Sequence, residues 1–219
     1  GADQGSRLML IDSHVNLHAP QFDEDRDAVI ARARAAGVGL MVEISDRLTT
    51  FEATHALAMA HDDIWCTVGV HPHEAKDAAD LTAQTLIDLA ARPRVVGIGG
   101  LDFHYDLSPR DIQATVFRQH IAAARETGLP LVVHTREADA VMGTILAEEH
   151  AVGPFKLLMH CYTSGQELAD LAVKLGAWFS VSGIATFKTA EAVRAVIRTL
   201  PADRIIVETD CPYLAPMPH

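Results

Sequence analysis

Met9-Leu-Ile-Asp12-Ser-His14-Val-Asn16-Leu-His18 is an apolar strand that ends in groups able to hold a metal. Residues two apart on a strand point to one face, so His14 and Asn16 look the same way and Asp12 stands just below them. Taken alone, a polar strand end of this kind also reads as the ordinary start of a loop. The arrangement recurs, however, in Val132-Val133-His134, Leu158-Met159-His160 and Ile205-Ile206-Val207-Glu208-Thr209-Asp210. Repetition makes the metal reading the stronger one.

Working outward, strand-like and helix-like segments alternate along the chain. Strands are predicted at 8–12, 39–44, 64–70, 95–98, 131–134, 156–160, 177–182 and 204–209. Amphipathic helical runs lie between them at 23–36, 50–61, 82–91, 111–127, 138–150, 165–175 and 189–200. Gly37, Gly128 and Gly176 fall where a helix end takes a left-handed residue, and Ser164 or Thr189 can cap helix starts. Near-continuous apolar strands separated by helices mean a parallel sheet covered on its faces. Side chains from the first, fifth, sixth and eighth strands converge only if that sheet closes. The expected fold is therefore an α/β, (β/α)8 TIM-type barrel, with a doubly wound open sheet as the alternative. Residues 1–8 are set apart as an N-terminal tail, and 9–219 are expected to form a single barrel domain. After Asp210 the chain runs Cys-Pro-Tyr-Leu-Ala-Pro-Met-Pro-His219 with no eighth helix. Either further residues or a partner would cover that seam, which leaves an oligomer open.

A chain of 219 residues, 49% of them hydrophobic, can bury one sizeable core. No apolar run suffices to cross a bilayer, and the polar start does not resemble a signal segment, so a cytoplasmic protein without membrane partners is expected. Cys66, Cys161 and Cys211 lack metal or disulfide spacing and read as thiols in a reducing compartment. Cys161, one residue past His160 on a strand, should face the opposite way. A formal charge of -11 excludes broad phosphate-backbone binding through a basic surface but permits a local cation-assisted site. His55, His61, His120 and His150 fall on helical runs and read as solvated.

The strand ends belong to longer stretches: Ile11-Asp-Ser-His14, Val68-Gly-Val-His71-Pro-His73, Gly97-Ile-Gly with Leu101-Asp102-Phe-His104-Tyr-Asp, Leu129-Pro-Leu-Val-Val-His134-Thr-Arg136, Met159-His160-Cys-Tyr, Phe179-Ser-Val-Ser-Gly-Ile-Ala-Thr-Phe187-Lys and Val207-Glu-Thr-Asp210-Cys-Pro-Tyr-Leu-Ala-Pro216. On these, from Met9 onward, the chain resembles the TatD family of metal-dependent hydrolases and deoxyribonucleases, which have an amidohydrolase-like barrel. The resemblance implies phosphodiester hydrolysis in DNA, from the 3' end, by a metal-activated water. It implies one or two divalent ions, Mg, Mn or Zn, with His14 and Asp210 on one and His134 and His160 on the other. Asp210 would also orient the attacking water or take its proton.

Around those ligands, His71, His73, Asp102, His104 and Arg136 are candidates for substrate binding, Arg136 as a bidentate phosphate contact. Glu208 should point with Asp210 and can orient a ligand imidazole, while Asp12 and Asn16 stand beside the ligands. Two departures from the family pattern matter most. Asn16 stands where the family has a second histidine. Gly97-Ile-Gly-Gly100-Leu-Asp102 lacks the family's bridging glutamate, without which two ions repel each other. A diverged chain would bind one ion through His134 and His160 with help from Asp210, or none. The alternatives are accordingly a weakly active or inactive binding or assembly module, or a hydrolase of another ester or amide.

Overall fold

The computed structural model describes residues 9–99 and 107–218. Eight parallel strands pair in chain order: β1 (Leu10–Val15), β2 (Val38–Glu43), β3 (Ile64–Gly69), β4 (Val95–Gly99), β5 (Leu131–Val133), β6 (Leu157–Met159), β7 (Trp178–Val181) and β8 (Ile205–Val207). Between them run α1 (Arg26–Ala35), α2 (Phe51–Ala60), α3 (Ala83–Ala90), α4 (Arg110–Thr127), α5 (Asp139–Val152), α6 (Gln166–Lys174) and α7 (Glu191–Ile197). The architecture is a TIM-type barrel, nearly closed. Its strands are short apolar runs because both faces are buried: Val68, Ile98, Leu131, Val133, Met159 and Phe179 all lie in the core. Gly37, Gly128 and Gly176 end their helices with φ of 96°, 70° and 81°, as their spacing predicts. Neither Ser164 nor Thr189 caps a helix. Gly165 and Ala190 occupy those positions, and the Gly165 N–H is held instead by the Asp139 carboxylate at 2.8 Å.

Strand β1 extends to Val15, three residues beyond its predicted end at Asp12, because its polar residues find partners across the seam rather than in water. Ser13 Oγ donates to Val207 O at 2.9 Å. The Asp12 carboxylate accepts from Thr209 N at 2.9 Å and from Thr209 Oγ1 at 2.7 Å. Asp210 N donates to His14 O and Asn16 N to Cys211 O, at 2.9 and 3.0 Å. These bonds join the first strand to the stretch that follows the last. Met9, Leu10, Ile11 and Val207 are exposed along this seam, and no described helix follows β8 to cover them. Beyond it, residues 214–216 pass so close over Gly183 that a Cβ there would sit 2.1 Å from Leu214 O. No helix among the described residues is long and apolar enough to cross a membrane.

Candidate metal centre

The C-terminal ends of the strands gather the polar residues at one mouth of the barrel. Imidazole rings form a continuous row there: His73 and His71 have centroids 4.5 Å apart, His71 and His134 4.9 Å, His134 and His160 5.6 Å. The row ends with His160 stacked on His14 at 3.6 Å, the planes 14° apart. His14 comes from β1, and the others come from the loops that leave β3, β5 and β6.

His160 Nδ1 donates to Glu208 Oε2 at 2.8 Å, and Ser180 Oγ donates to the same oxygen. This fixes the ring, because an ionised carboxylate on Nδ1 leaves Nε2 as the acceptor side. Burial opposes protonation of His160, but the Glu208 charge overrides it and raises its pKa. His14 moves the other way: burial, then the neighbouring His160, His134 and His71, hold it well below the usual imidazole range. Asp210 Oδ1 lies 3.4 Å from His14 Nε2 and accepts from Asn16 Nδ2 at 3.0 Å. Burial lifts the Asp210 carboxyl to about 6, although His160 pulls against it. Asn16 thus presents its NH2 to Asp210 and to Cys211 O.

Two groups of three side chains bring one potential ligand atom each to within 4.8 Å of the others: His14, His160 and Glu208, then Cys161, Glu208 and Asp210. Within the first, His14 Nδ1 and Glu208 Oε1 are buried with no hydrogen-bond partner among the described residues. Such orphaned atoms are rare in folded proteins, and an ion is one of the few things that satisfies both. Imidazole nitrogen with carboxylate oxygen suits a divalent metal. The residues present fit one.

The backbone is strained at this mouth. Glu137, Cys161 and Asp210, after β5, β6 and β8, hold φ of 51°, 43° and 59°, a region that costs a non-glycine residue about 1–3 kcal/mol. The turn at Cys161 corrects the strand-parity expectation for its side chain. Strand β6 has already ended at Met159, so the sulfur swings to the same mouth as His160, 3.0 Å from Ser182 Oγ. Arg136 has likewise left strand geometry and is exposed, lining a cavity of about 470 Å³ with Glu137, Asp139, Thr163, Ser164 and Gly165. Asp102, His104 and the gap near Gly100 lie outside the described residues.

Two of the helical histidines are not solvated. His55 is buried under Arg92 and Pro93, and His120 is wholly buried on α4. His120 Nδ1 donates to Val116 O at 2.7 Å while Nε2 accepts from Val70 N at 3.0 Å, which anchors the backbone just before His71. Glycine at 69 gives room here, since a Cβ would lie 2.9 Å from Gly99 N and 3.2 Å from the ring Nε2. A second ring proton would point at the Val70 N–H, and burial accordingly lowers His120 to about 4. Its pKa is depressed relative to the unfolded chain, so its contribution is complete above about 6.5 and is lost as pH falls through 4. That contribution amounts to roughly 3 kcal/mol. His120→Asn should flatten the acid limb of a melting-temperature profile between those values; an unchanged limb would mean other groups cause it.

Sequence reasoning missed Glu43, although it too ends an apolar run. Wholly buried, it accepts from Leu17 N and His18 N at 2.7 and 2.9 Å and meets His18 Nδ1 at 2.6 Å. His18 is raised to about 9: burial opposes this, and hydrogen bonds to Asp46 and Glu43 outweigh it. The pair clamps the chain as it leaves β1, and with it the exit of His14 and Asn16.

The family described as TatD related DNase matches residues 11–219. The "Uncharacterized metal-dependent hydrolase YabD" of Bacillus subtilis is 40% identical over 214 residues, covering 96% of this chain and 83% of that protein. The "3'-5' ssDNA/RNA exonuclease TatD" of Enterobacter lignolyticus is 36% identical over 210 residues, covering 94% and 80%. Among solved structures, YJJV, a TatD homologue from Escherichia coli K12, superposes with a TM-score of 0.85 at 26% identity over 94% of this chain and 81% of its own.

Proposed function

The chain belongs to the TatD family of metal-dependent hydrolases, and on that premise we propose that it removes nucleotides from the 3' end of single-stranded DNA. The observation that carries this reading is the buried group of His14, His160 and Glu208 with two orphaned ligand atoms at the catalytic mouth of a barrel. A relative named as a 3'-5' exonuclease supports the substrate class. In this reading His14, His160, Glu208 and Asp210 hold a divalent ion, with His134 beside them in the imidazole row. When bound, the ion supplies Lewis acidity to a phosphoryl oxygen.

The chain's own residues do the rest. Glu208 keeps the His160 ring in one orientation. Asp210, its Oδ1 held by the Asn16 amide, takes the proton of the attacking water at its carboxylate. His71 and His73 sit at the outer end of the row, where they can donate to phosphate oxygens, and Arg136 at the rim adds a cation. An acidic protein reaches DNA through such a local patch rather than through a basic surface.

The test is a 5'-labelled single-stranded oligonucleotide incubated with Mg, Mn or Zn. Stepwise 3' shortening should appear, stop with chelator, return on adding metal, and fall by about a hundredfold or more in His160→Ala. A metal-loaded protein that leaves the oligonucleotide intact would overturn the nuclease reading.

A further inference from the structure

We infer that Cys161 is itself a metal ligand, its thiolate joining Glu208 and Asp210 to hold a borderline-soft divalent ion of the zinc or cobalt type. This rests on the metal-centre reading above and adds a sulfur donor to it. The geometry favours it in three ways. First, the potential ligand atoms of Cys161, Glu208 and Asp210 lie within 4.8 Å of one another. Second, Glu208 is only 7% exposed, and its Oε1 has no partner among the described residues. Third, the sulfur is aimed: the residue holds a left-handed φ, its N–H is fixed on Ser180 Oγ at 3.1 Å, and Sγ lies 3.0 Å from Ser182 Oγ.

A cysteine kept for packing sits among apolar neighbours, as Cys66 does in the core of β3. Cys161 faces two carboxylates and a hydroxyl instead. Burial, then the Glu208 charge, push the thiol up to about 12, so it keeps its proton until a cation lies among the three groups. Glu208 belongs to both donor groups. It can therefore bring the sulfur into the same centre as the imidazoles. On binding, the thiol proton leaves to solvent and the sulfur gives a lone pair to the ion; no electron is transferred. A thiolate disfavours magnesium and favours zinc, cobalt or cadmium.

The experiment uses the whole chain, stripped with chelator and titrated with Co²⁺ without oxygen, while visible and near-ultraviolet absorption are followed. Wild type should show a sulfur-to-cobalt charge-transfer band. Cys161→Ser should lose that band and bind cobalt more than about tenfold more weakly, whereas Cys211→Ser and Cys66→Ser should keep it. Circular dichroism on each variant confirms that it is folded, and Cys161→Ala serves if the serine variant is not. Cobalt bound with its visible bands but no charge-transfer band overturns the thiolate and leaves the metal centre standing. So does a band that survives in Cys161→Ser. No cobalt bound to wild type overturns both.

Discussion

Asp210→Asn should lower hydrolysis by about a thousandfold, a loss of roughly 4 kcal/mol of barrier reduction, while the barrel stays folded. Asparagine has nearly the same shape, and the seam bond from residue 210 to His14 O uses the backbone, which the substitution leaves in place. What would disappear, on the proposed mechanism, is the charge that draws an ion and the oxygen that takes a proton. The pH profile carries the same information. Burial lifts the metal-free carboxyl to about 6, so its charged form is present above that value and lost as pH falls through it. A bound ion favours the charged form and moves the midpoint lower. Wild-type activity should therefore have an acid limb at or below pH 6 that Asp210→Asn lacks. Activity within tenfold of wild type would remove Asp210 from the mechanism.

The largest expected effect on stability is at Asp12. Its carboxylate accepts from Thr209 N, Thr209 Oγ1 and His14 N, and it is buried. Asp12→Ala leaves the Thr209 N–H and hydroxyl without an acceptor, which costs about 2–4 kcal/mol, or a fall of roughly 5–15 °C in melting temperature for a chain of this size. Asp12→Asn keeps one acceptor oxygen and should lose less. Thermal unfolding measures both; a melting temperature within 2 °C of wild type for the alanine variant would show that the seam closes without this residue.

The fold was legible because most strands of a parallel barrel are buried on both faces and so read as unbroken apolar runs, as Leu131–Val133 does; Ile205–Val207 keeps the apolar run although Val207 faces the open seam. Helix ends were legible where glycine must take a positive φ, at 37, 128 and 176. Less legible were features that depend on partners far along the chain. Strand β1 outran its predicted end because Asp12 and Ser13 bond to residues near 208, which no local pattern announces. Parity along a strand placed His14 and Asn16 together at Asp210. It failed at Cys161, where the chain had left the strand and taken a left-handed φ. His120 looked solvated because a helical period cannot say which polar residue meets a buried N–H. Glu43 carried the same signature as the other strand ends and was legible in principle. Asp102 and His104, read as substrate contacts, fall outside the described residues.

On the ribosome, the seam sets an order of events. His14 emerges with the first strand, while Glu208 and Asp210 arrive only with the last; Asn16 and Asp210, hydrogen bonded in the folded chain, are 194 residues apart. A half-synthesised chain exposes imidazoles but none of the carboxylates that complete either donor group. Metal capture by the proposed donor groups would then wait until strand β8 has been made and has met β1. On the proposed function, an ion held there would report assembly, since its donors come from strands at opposite sides of the seam.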